Sequence, residues 1–419
     1  MRVLDKPKIF AKSVAQCVLS LLTSPEIARL IGEPFFWMMG RRKKILEIDL
    51  SQVKRVLVVR LDKVGDVVLT TPLLRELRRN LVDAWITLVV NPQVYNLVEL
   101  CPYVDEVLTY DWKVDGRCVY LQRHWRALWL AWCCLWRRRF DLAILPRWDV
   151  DNYHGTFILY FSGAPWRVGY SENINSQKKR LNSGFDSLLT HPLQDSTIKH
   201  DVEHNLDVIR FLGGRVQDDR LELWLGKEDE AFADETLGDH GVKPGDLLIA
   251  FCPGAGEPKR RWPVSRYTEL GLWLQRKYRA CLVIIGGPGE EVLGWELLQE
   301  LGSSPIINIV GRTTLRQTVA FLKRCSLYIG NDTGPMHMAA AVGVPIVELS
   351  CHPVSGAPYS VNSPLRFRPW RDNHIVIQPE RPLPPCEDEC IADQPHCILS
   401  ITVEQVKEAV AEQLKSTKE

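Results

Sequence analysis

The sequence predicts an α/β protein made of two doubly wound domains that face each other across a cleft. Three observations predict this fold. Short apolar runs alternate with helical patterns in the first half, and the same alternation restarts in the second half. The third observation is length, since 419 residues suffice for two domains of ordinary size. The predicted strands cover residues 56–59, 86–90, 107–108, 142–145, 247–251, 282–285, 327–329 and 346–349.

The predicted helices lie between these strands. Thr71 and Pro72 suit the N-cap and first position of a helix. Further helices are expected at 95–100, 125–138, 267–278, 315–324 and 336–342, and the polar segment 226–246 separates the halves. We therefore predict an amphipathic extension over residues 1–52, a first domain over 53–235, a second domain over 236–400 and a C-terminal helix over 401–419.

Composition excludes several classes of protein. The formal net charge of +1 provides no general attraction to nucleic acid, so no nucleic-acid partner is expected. The 12 cysteines are scattered, unlike a secreted disulfide framework, which favours reduced thiols in the cytoplasm. The uncharged stretch 13–25 is too short to span a membrane and lacks a convincing signal-peptide cleavage site.

Two apolar helix faces could contact a membrane surface. Apolar residues at 10, 14, 17 and 21 share one face, which either docks on the protein or lies on a membrane surface. A second face carries Trp125, Trp129, Trp132 and Trp136 at helical spacing. We expect it to pack in the core, with a membrane interface as the alternative.

The segment VLVVRLDKVGDVVLTTP, residues 56–72, places Asp66 just beyond a buried strand. Ligands and chemistry in open α/β sheets gather at the carboxyl ends of the strands. A carboxylate there could take a proton from a substrate, but an aspartate is also a common helix N-cap. These residues alone leave both interpretations open.

Three loops in the second half follow predicted strands directly. Residues 253–263 combine glycines, which include Gly254, with the cations Lys259, Arg260 and Arg261, a combination that could neutralise a diphosphate. Residues 286–291 place a carboxylate after a glycine turn, where ribose hydroxyls could be bound. Residues 330–337 open a helix whose free amides form an anion site, and His337 could face the same ligand.

These segments resemble glycosyltransferase family 9, the heptosyltransferase-like enzymes. Residues 60–72 are similar to the opening motif of the family, and NDTGPMHMAAA at 331–341 is similar to its C-terminal signature. KHDVEHNL at 199–206 and RVGY at 167–170 also match the pattern. The resemblance covers about residues 53 to 412, and the extension before it departs from the usual start of the family.

The resemblance implies a GT-B fold, with two Rossmann-like domains and the donor bound mainly to the second. It also implies inverting transfer of a sugar, usually from ADP-heptose, to a growing lipopolysaccharide core. The partners are then a nucleotide-diphosphate sugar and a glycolipid or oligosaccharide acceptor, with no cofactor. The location would be cytoplasmic, with peripheral attachment to the inner face of the cytoplasmic membrane left open.

The resemblance assigns roles to individual residues. Asp66 falls on the general base, and Lys63 and Gly65 beside it are expected on the acceptor side. Arg260 or Lys259 falls near the phosphate-binding lysine, because the usual KRWP is RRWP here. The expected donor-binding residues are Gly254, Lys259, Arg260, Glu290, Asp332, Thr333, Gly334 and His337, with Glu291 as the alternative to Glu290. No metal is expected among these residues.

Two other functions deserve comparison. A nicotinamide-dependent oxidoreductase would use Gly254-Ala255-Gly256, but Lys259 stands where the third glycine of that fingerprint belongs. An inactive protein that only binds a nucleotide sugar is the third class, and the retention of Asp66 opposes it.

Two short motifs have metal-binding alternatives. Asp149-Val150-Asp151 spells the DxD of metal-dependent glycosyltransferases, but we interpret it as a loop away from the donor site. Cys386, Cys390 and Cys397, together with His396, could hold zinc, although their spacing is not that of paired CxxC knuckles.

Overall fold

The computed structural model describes residues 24–38, 40, 47–114, 119–302, 305–370 and 373–416, so the apolar face at 10–21 lies outside the described residues. The described residues form two six-stranded parallel sheets with helices on both faces. The predicted α/β fold of two doubly wound, Rossmann-like domains is confirmed. The domain bounds remain predictions.

Eight of the twelve described strands were predicted from apolar runs, because both faces of each sheet are covered, which leaves no polar alternation. Val58, for example, pairs with Leu88 on one side and Ile144 on the other, and all three are buried. The strands are β1 Arg55–Arg60, β2 Trp85–Val90, β3 Glu106–Thr109, β4 Leu142–Leu145, β5 Trp166–Tyr170, β6 His191–Leu193, β7 Leu248–Cys252, β8 Cys281–Ile284, β9 Ile306–Asn308, β10 Leu327–Asn331, β11 Ile346–Leu349 and β12 His374–Ile377.

The helices alternate with these strands along the chain. They are α1 Pro25–Met38, α2 Val64–Asn80, α3 Tyr95–Val98, α4 Val119–Leu130, α5 Gly155–Phe161, α6 Ser176–Leu181, α7 Asp201–Phe211, α8 Lys227–Asp239, α9 Val264–Tyr278, α10 Glu291–Leu301, α11 Leu315–Leu322, α12 Gly334–Ala341, α13 Pro364–Phe367 and α14 Val403–Ser416. None of these helices has both the length and the apolar character needed to cross a bilayer.

Both sheets have the same strand order. The first runs β3-β2-β1-β4-β5-β6, and the second runs β12-β11-β10-β7-β8-β9. If β7 is counted as strand 1 of its sheet, the second sheet read from its β9 edge also has the order 3-2-1-4-5-6. In this topology the chain turns in opposite directions after the first and fourth strands, which opens a crevice at their carboxyl ends. A ligand site is therefore expected after β1 and β4, and a second after β7 and β10.

The start of α2 corrects one prediction. Thr71 and Pro72 do not begin a helix, because α2 already begins at Val64 and passes through both residues. Pro72 has no amide to donate to the carbonyl of Val68, but the Thr71 hydroxyl donates to that carbonyl at 2.8 Å. The helix therefore continues through the proline, and Asp66 lies in its first turn. Lys63 occupies the N-cap position, so Asp66 is not the cap.

The polar segment at 226–246 is not simply a separator. It contains α8, whose side chains pack against α11 of the second sheet. Arg324 joins the two helices through ion pairs of 2.6 Å with Glu230 and Asp234. The helix α14 also belongs to this half, since Val406 and Val410 are fully buried in the core around β11.

The tryptophan face of α4 and of the helical turns that continue it over residues 131–138 is a second correction. Core packing was expected, yet Trp125, Trp129 and Trp132 are 67%, 62% and 62% exposed. Only Trp136 packs inward, where its indole N–H donates to the Phe161 carbonyl. The buried side of α4 is instead formed by small and polar residues such as Ala127, so the helix presents its largest apolar side chains to solvent.

Candidate functional site

Arg60 organises the crevice of the first sheet. It is the last residue of β1, and its side chain is 2% exposed. Its guanidinium donates to the Pro146 carbonyl beyond β4 at 2.8 Å, and forms ion pairs with Asp62 at 3.1 Å, Asp201 at 2.9 Å and Asp66 at 3.4 Å. One buried cation thus holds three carboxylates at the strand ends.

Asp66 lies at the solvent-facing edge of this network, with a side chain that is 28% exposed. Burial in the cleft raises its pKa to about 6, an effect that Arg60 opposes and that Asp201 and Asp149 reinforce. A carboxylate with a pKa near the working pH is better suited to accept a proton than an ordinary aspartate. Asp66 can therefore act as a general base on a group bound in the cleft.

Asn331 organises the crevice of the second sheet. It ends β10, and its side-chain amide donates to the carbonyls of Pro253 and Gly254 at 2.9 and 3.1 Å. Its side-chain oxygen accepts from the Trp262 amide at 3.1 Å. The basic loop at 253–263 is thus fastened at both ends to the strand that leads into α12.

Arg260 and Asp332 meet in front of α12. Their side chains form an ion pair of 2.6 Å, and the Arg260 guanidinium also donates to the Asp332 carbonyl. Burial raises the pKa of Asp332, and the charge of Arg260 opposes that rise. Lys259 points elsewhere, to Glu257 at 3.1 Å. The RRWP motif therefore places Arg260, and not Lys259, beside Asp332, which is one of the predicted donor-binding residues.

The start of α12 has the features of an anion site. Thr333 occupies the N-cap position without capping the helix, because its hydroxyl donates back to the Asn331 carbonyl at 3.2 Å. The Gly334 amide therefore has no side-chain cap, and the positive end of the helix dipole points into the cleft near Arg260. A diphosphate bound there would contact both the positive end of the helix and the guanidinium of Arg260.

Glu290 lies beside Gly254, so two of the predicted donor-binding residues are neighbours in the structure. A Cβ atom at Gly254 would lie 2.2 Å from the Glu290 Oε1 atom, so a larger residue at this position would displace the Glu290 carboxylate. The other carboxylate oxygen accepts from the Gly287 amide at 2.8 Å. Glu291 instead accepts from the Gly289 amide, at an exposed turn. The structure thus places Glu290, rather than Glu291, next to the loop after β7.

The two crevices meet at the first turns of α2 and α12. A Cβ atom at Gly65 would lie 2.6 Å from Cδ2 of His337, and one at Gly334 would lie 2.8 Å from Cβ of Val64. Lys63 reaches farther, since its Nζ lies 3.6 Å from the Cβ position of Gly256 in the basic loop. Lys63 was expected on the acceptor side, and the structure places its ammonium beside the donor loop.

His337 fills the space between these helices. It is 4% exposed, and its Nδ1 has no hydrogen-bond partner among the described residues. Burial lowers its pKa to about 3, so the imidazole is neutral at physiological pH. It can offer a neutral hydrogen bond to a ligand in the cleft, but it carries no charge for the diphosphate.

The DxD motif has other partners. The carboxylate of Asp151 accepts from the amides of Gly155 and Thr156 at 3.1 and 2.7 Å, which fixes the start of α5. Asp149 forms an ion pair of 2.6 Å with Arg366, a fully buried side chain from the second half. The sequence places this motif away from the donor site, and the structure shows that the charge of Asp149 raises the pKa of Asp66 in the first crevice.

Several residues of the site were not predicted from the sequence. Arg60 and Asp201 lie inside segments that carry the family resemblance, but no spacing rule connects residues so far apart. Asn331 precedes the predicted Asp332 and could have been noticed as a polar end to a buried strand. Arg366 follows no recognisable motif.

Comparison with known proteins agrees with this geometry. The family model for glycosyltransferase family 9 (heptosyltransferase) matches residues 134–396. Among curated proteins, the lipopolysaccharide core heptosyltransferase OpsX of Haemophilus influenzae is 22% identical over 333 residues, which cover 78% of this chain and 85% of OpsX.

Solved structures agree as well. A glycosyltransferase of family 9 from Veillonella parvula superposes with a TM-score of 0.71 at 25% identity, covering 88% of this chain and 99% of that one. The ADP-heptose lipopolysaccharide heptosyltransferase II of Escherichia coli gives a TM-score of 0.64 at 23% identity, covering 87% of this chain and 100% of that one. The fold is therefore the GT-B arrangement of the heptosyltransferases. Since the family match spans more than half of the chain, this protein belongs to glycosyltransferase family 9 and is a glycosyltransferase.

Proposed function

We propose that this enzyme transfers heptose from ADP-heptose to an acceptor of the lipopolysaccharide core, with inversion at the anomeric carbon and without a metal ion. The names of the relatives support the sugar and the pathway: OpsX is a lipopolysaccharide core heptosyltransferase, and the Escherichia coli structure is an ADP-heptose enzyme. The family assignment leaves the nicotinamide-dependent oxidoreductase without support.

The second half would bind the donor. The Gly334 amide at the start of α12 and the guanidinium of Arg260 would hold the diphosphate, with Thr333 also in contact with it. Asp332 would bind the sugar after Arg260 turns toward the phosphates, and Glu290 would accept from ribose hydroxyls. Gly254 leaves the room that this carboxylate requires.

The first half would supply the base. As an acceptor hydroxyl attacks the anomeric carbon, its proton passes to Asp66 while the bond from that carbon to the diphosphate oxygen breaks. One displacement of this kind inverts the anomeric centre. The charge that develops on the departing ADP is met by Arg260 and the helix dipole, so no step requires a metal ion.

The observation that carries this proposal is the contact between Gly65 and His337. Asp66 follows Gly65 in the first turn of α2, and His337 lies in the first turn of α12. The contact therefore puts the proposed base and the proposed diphosphate site at adjoining helix starts. A donor held at α12 would present its sugar toward α2.

Replacement of the base tests the proposal. Asp66→Asn should lower the rate of heptose transfer about 100- to 10,000-fold, as expected when a general base is lost. ADP-heptose binding, measured by calorimetry, should remain within a few-fold of the native value. Asp111→Asn, an exposed carboxylate outside the cleft, is the matched control and should be fully active. Transfer by Asp66→Asn at the native rate would refute the assignment of the base.

We also propose that the exposed face of α4 lies on the inner surface of the cytoplasmic membrane, where a lipid-linked acceptor would be found. Trp125, Trp129 and Trp132 are exposed there, and Arg126 and Arg137 beside them are also exposed. Tryptophan and arginine together favour the interface of an anionic bilayer. Helix α1 adjoins this face through the contact of Phe35 with Trp136, with ring centroids 4.7 Å apart.

Vesicle binding tests this second proposal. The native protein should sediment with vesicles that contain phosphatidylglycerol, and Trp125→Ser combined with Trp129→Ser should weaken that binding at least ten-fold. Trp295→Ser, a similarly exposed tryptophan of the second half at 60% exposure, is the matched control. Equal sedimentation of native protein and double variant would contradict membrane contact at α4.

A further inference from the structure

Three thiols and an imidazole converge in the loop between β12 and α14. Their potential ligand atoms all lie within 4.8 Å of one another, and the three cysteines are buried. We refer to these residues as the Cys/His cluster, which consists of Cys386, Cys390, His396 and Cys397.

The geometry of the Cys/His cluster is close to that of a tetrahedral metal site. Nδ1 of His396 lies 3.5 Å from Sγ of Cys386 and 3.5 Å from Sγ of Cys397. A tetrahedron with metal–sulfur bonds of about 2.3 Å places its ligand atoms about 3.8 Å apart. The side chains therefore need only a slight contraction to bind one ion.

Backbone amides already point at the sulfur atoms. The amide of Ile391 donates to Sγ of Cys386 at 3.4 Å, and the amide of Leu383 donates to Sγ of Cys397 at 3.4 Å. Such donors stabilise thiolate charge and orient metal-binding sulfur atoms. These two amide donors are therefore what thiolate ligands of a metal would require, whereas neutral thiols in accidental contact would not need them.

The loop itself has no regular secondary structure and is held to its neighbours by single hydrogen bonds, such as that from the Ala357 amide to the Asp388 carbonyl at 2.7 Å. Residues 378–396 contain no helix or strand and include five prolines. Long irregular segments inside compact domains need some other constraint. The Cys/His cluster spans the second half of this segment, where its three cysteines join the apolar core of the second half of the protein.

We propose that the Cys/His cluster binds one Zn²⁺ ion in tetrahedral coordination, and that the ion fastens this loop behind the donor-site loop. Three thiolates and one imidazole form a closed ligand set that is typical of structural zinc. No ligand position remains open for a substrate, so the ion would have a structural and not a catalytic role. This site is separate from the proposed transfer chemistry, which requires no metal.

The loop reaches the donor site through Trp262 and Arg266. The indole of Trp262 donates to the Ile401 carbonyl at 2.9 Å, and Arg266 donates to the Leu399 carbonyl at 2.8 Å. Trp262 is 1% exposed and follows Arg260 by two positions. Loss of the ion would therefore loosen the support beneath Arg260 and weaken donor binding as a secondary effect.

Metal analysis of the purified full-length protein tests the proposal. We expect one zinc ion per chain by inductively coupled plasma mass spectrometry, and a lower Tm after removal of zinc by a chelator. Substitution with Co²⁺ should produce the visible bands of a tetrahedral thiolate complex. These measurements use no sugar donor, so they are independent of whether ADP-heptose is the substrate.

Single substitutions locate the site. Cys386→Ser and His396→Asn should each lose zinc and lower the Tm, whereas Cys101→Ser, a buried thiol of the first half, should retain one equivalent. The absence of stoichiometric metal from the native protein, or a disulfide between Cys386 and Cys397 found by mass spectrometry, would overturn the proposal. Stoichiometric iron in place of zinc would overturn the assignment of the ion.

Discussion

Gly65 and His337 are in contact across the two halves of the protein. A Cβ atom placed on Gly65 would lie only 2.6 Å from Cδ2 of His337. This contact joins the first turn of α2 to the first turn of α12. The approach depends on the missing side chain of a glycine whose backbone is ordinary helix. Glycine is therefore required at position 65 because His337 of the opposite half lies so close, and not because the backbone there is strained.

Gly65→Ala should impair catalysis without impairing folding. A methyl group at this position would strike the imidazole and separate the two helix starts by a fraction of an ångström or more. Misplacement on this scale lowers kcat/KM by about 100-fold. Steady-state transfer assays, with circular dichroism to verify the fold, measure the effect. Gly238→Ala, where a Cβ atom meets nothing within 4 Å, is the control.

A double substitution separates this clash from a direct effect on Gly65. In a His337→Ala background, Gly65→Ala should change kcat/KM by less than three-fold, because the opposing ring is gone. An effect as large as that in the native background would show that the two residues do not oppose each other in the active conformation.

The pH dependence of transfer should report Asp66. Its pKa is raised to about 6, and the base must be ionised, so kcat/KM should rise with pH through about 6 and then level off. Asp201→Asn should move this rise to lower pH, because Asp201 raises the pKa of Asp66 and competes for Arg60. A profile that is flat through pH 6, or a shift to higher pH, would contradict this relationship.

The same pKa shift predicts a cost in stability. The pKa of Asp66 is higher in the folded protein than the ordinary value of 3.8, so ionisation destabilises the fold as the pH rises from about 4 to about 6. Asp66→Asn should therefore raise the free energy of unfolding above pH 6 by roughly 1–3 kcal/mol. The gain should vanish below pH 4, where Asp66 is protonated in both states. Urea unfolding at the two pH values measures the difference.

Replacement of cations in the basic loop should distinguish Arg260 from Lys259. Arg260→Gln should raise the donor KM about 10- to 100-fold, because hydrogen bonds to a charged group contribute roughly 1.5–3 kcal/mol. Lys259→Gln should have a smaller effect, since Lys259 is directed toward Glu257. A larger effect for Lys259→Gln would mean that the donor contacts the preceding cation.

The fold was predictable because its signals are local. Buried parallel strands such as β1 and β7 are short apolar runs, and their ends are marked by glycine or charge. The start of α2 was misplaced for an equally local reason, since Pro72 normally marks a first turn and the Thr71 hydroxyl that compensates for it leaves no pattern. Strands β5, β6, β9 and β12 were missed, and two of them, β6 and β9, have only three residues each.

Residues of the site could be predicted only where they lie together in one segment of the sequence. The glycine loops and the start of α12 are contiguous, so their residues could be named from the sequence. The ion pair between Arg60 and Asp201 joins residues 141 positions apart, and no spacing rule predicts it. The exposure of Trp129 was missed for a different reason, because helical periodicity identifies a shared face but not the surface against which it lies.

The division of the site between two sheets has a consequence for the activated sugar. Asp66 belongs to one half, and Arg260 and the start of α12 belong to the other. If the halves separate to admit a donor, the sugar nucleotide is bound away from Asp66, the proposed base. Hydrolysis is then suppressed until the cleft closes, and closure brings the acceptor together with the base. The division would spare the cell a futile loss of donor.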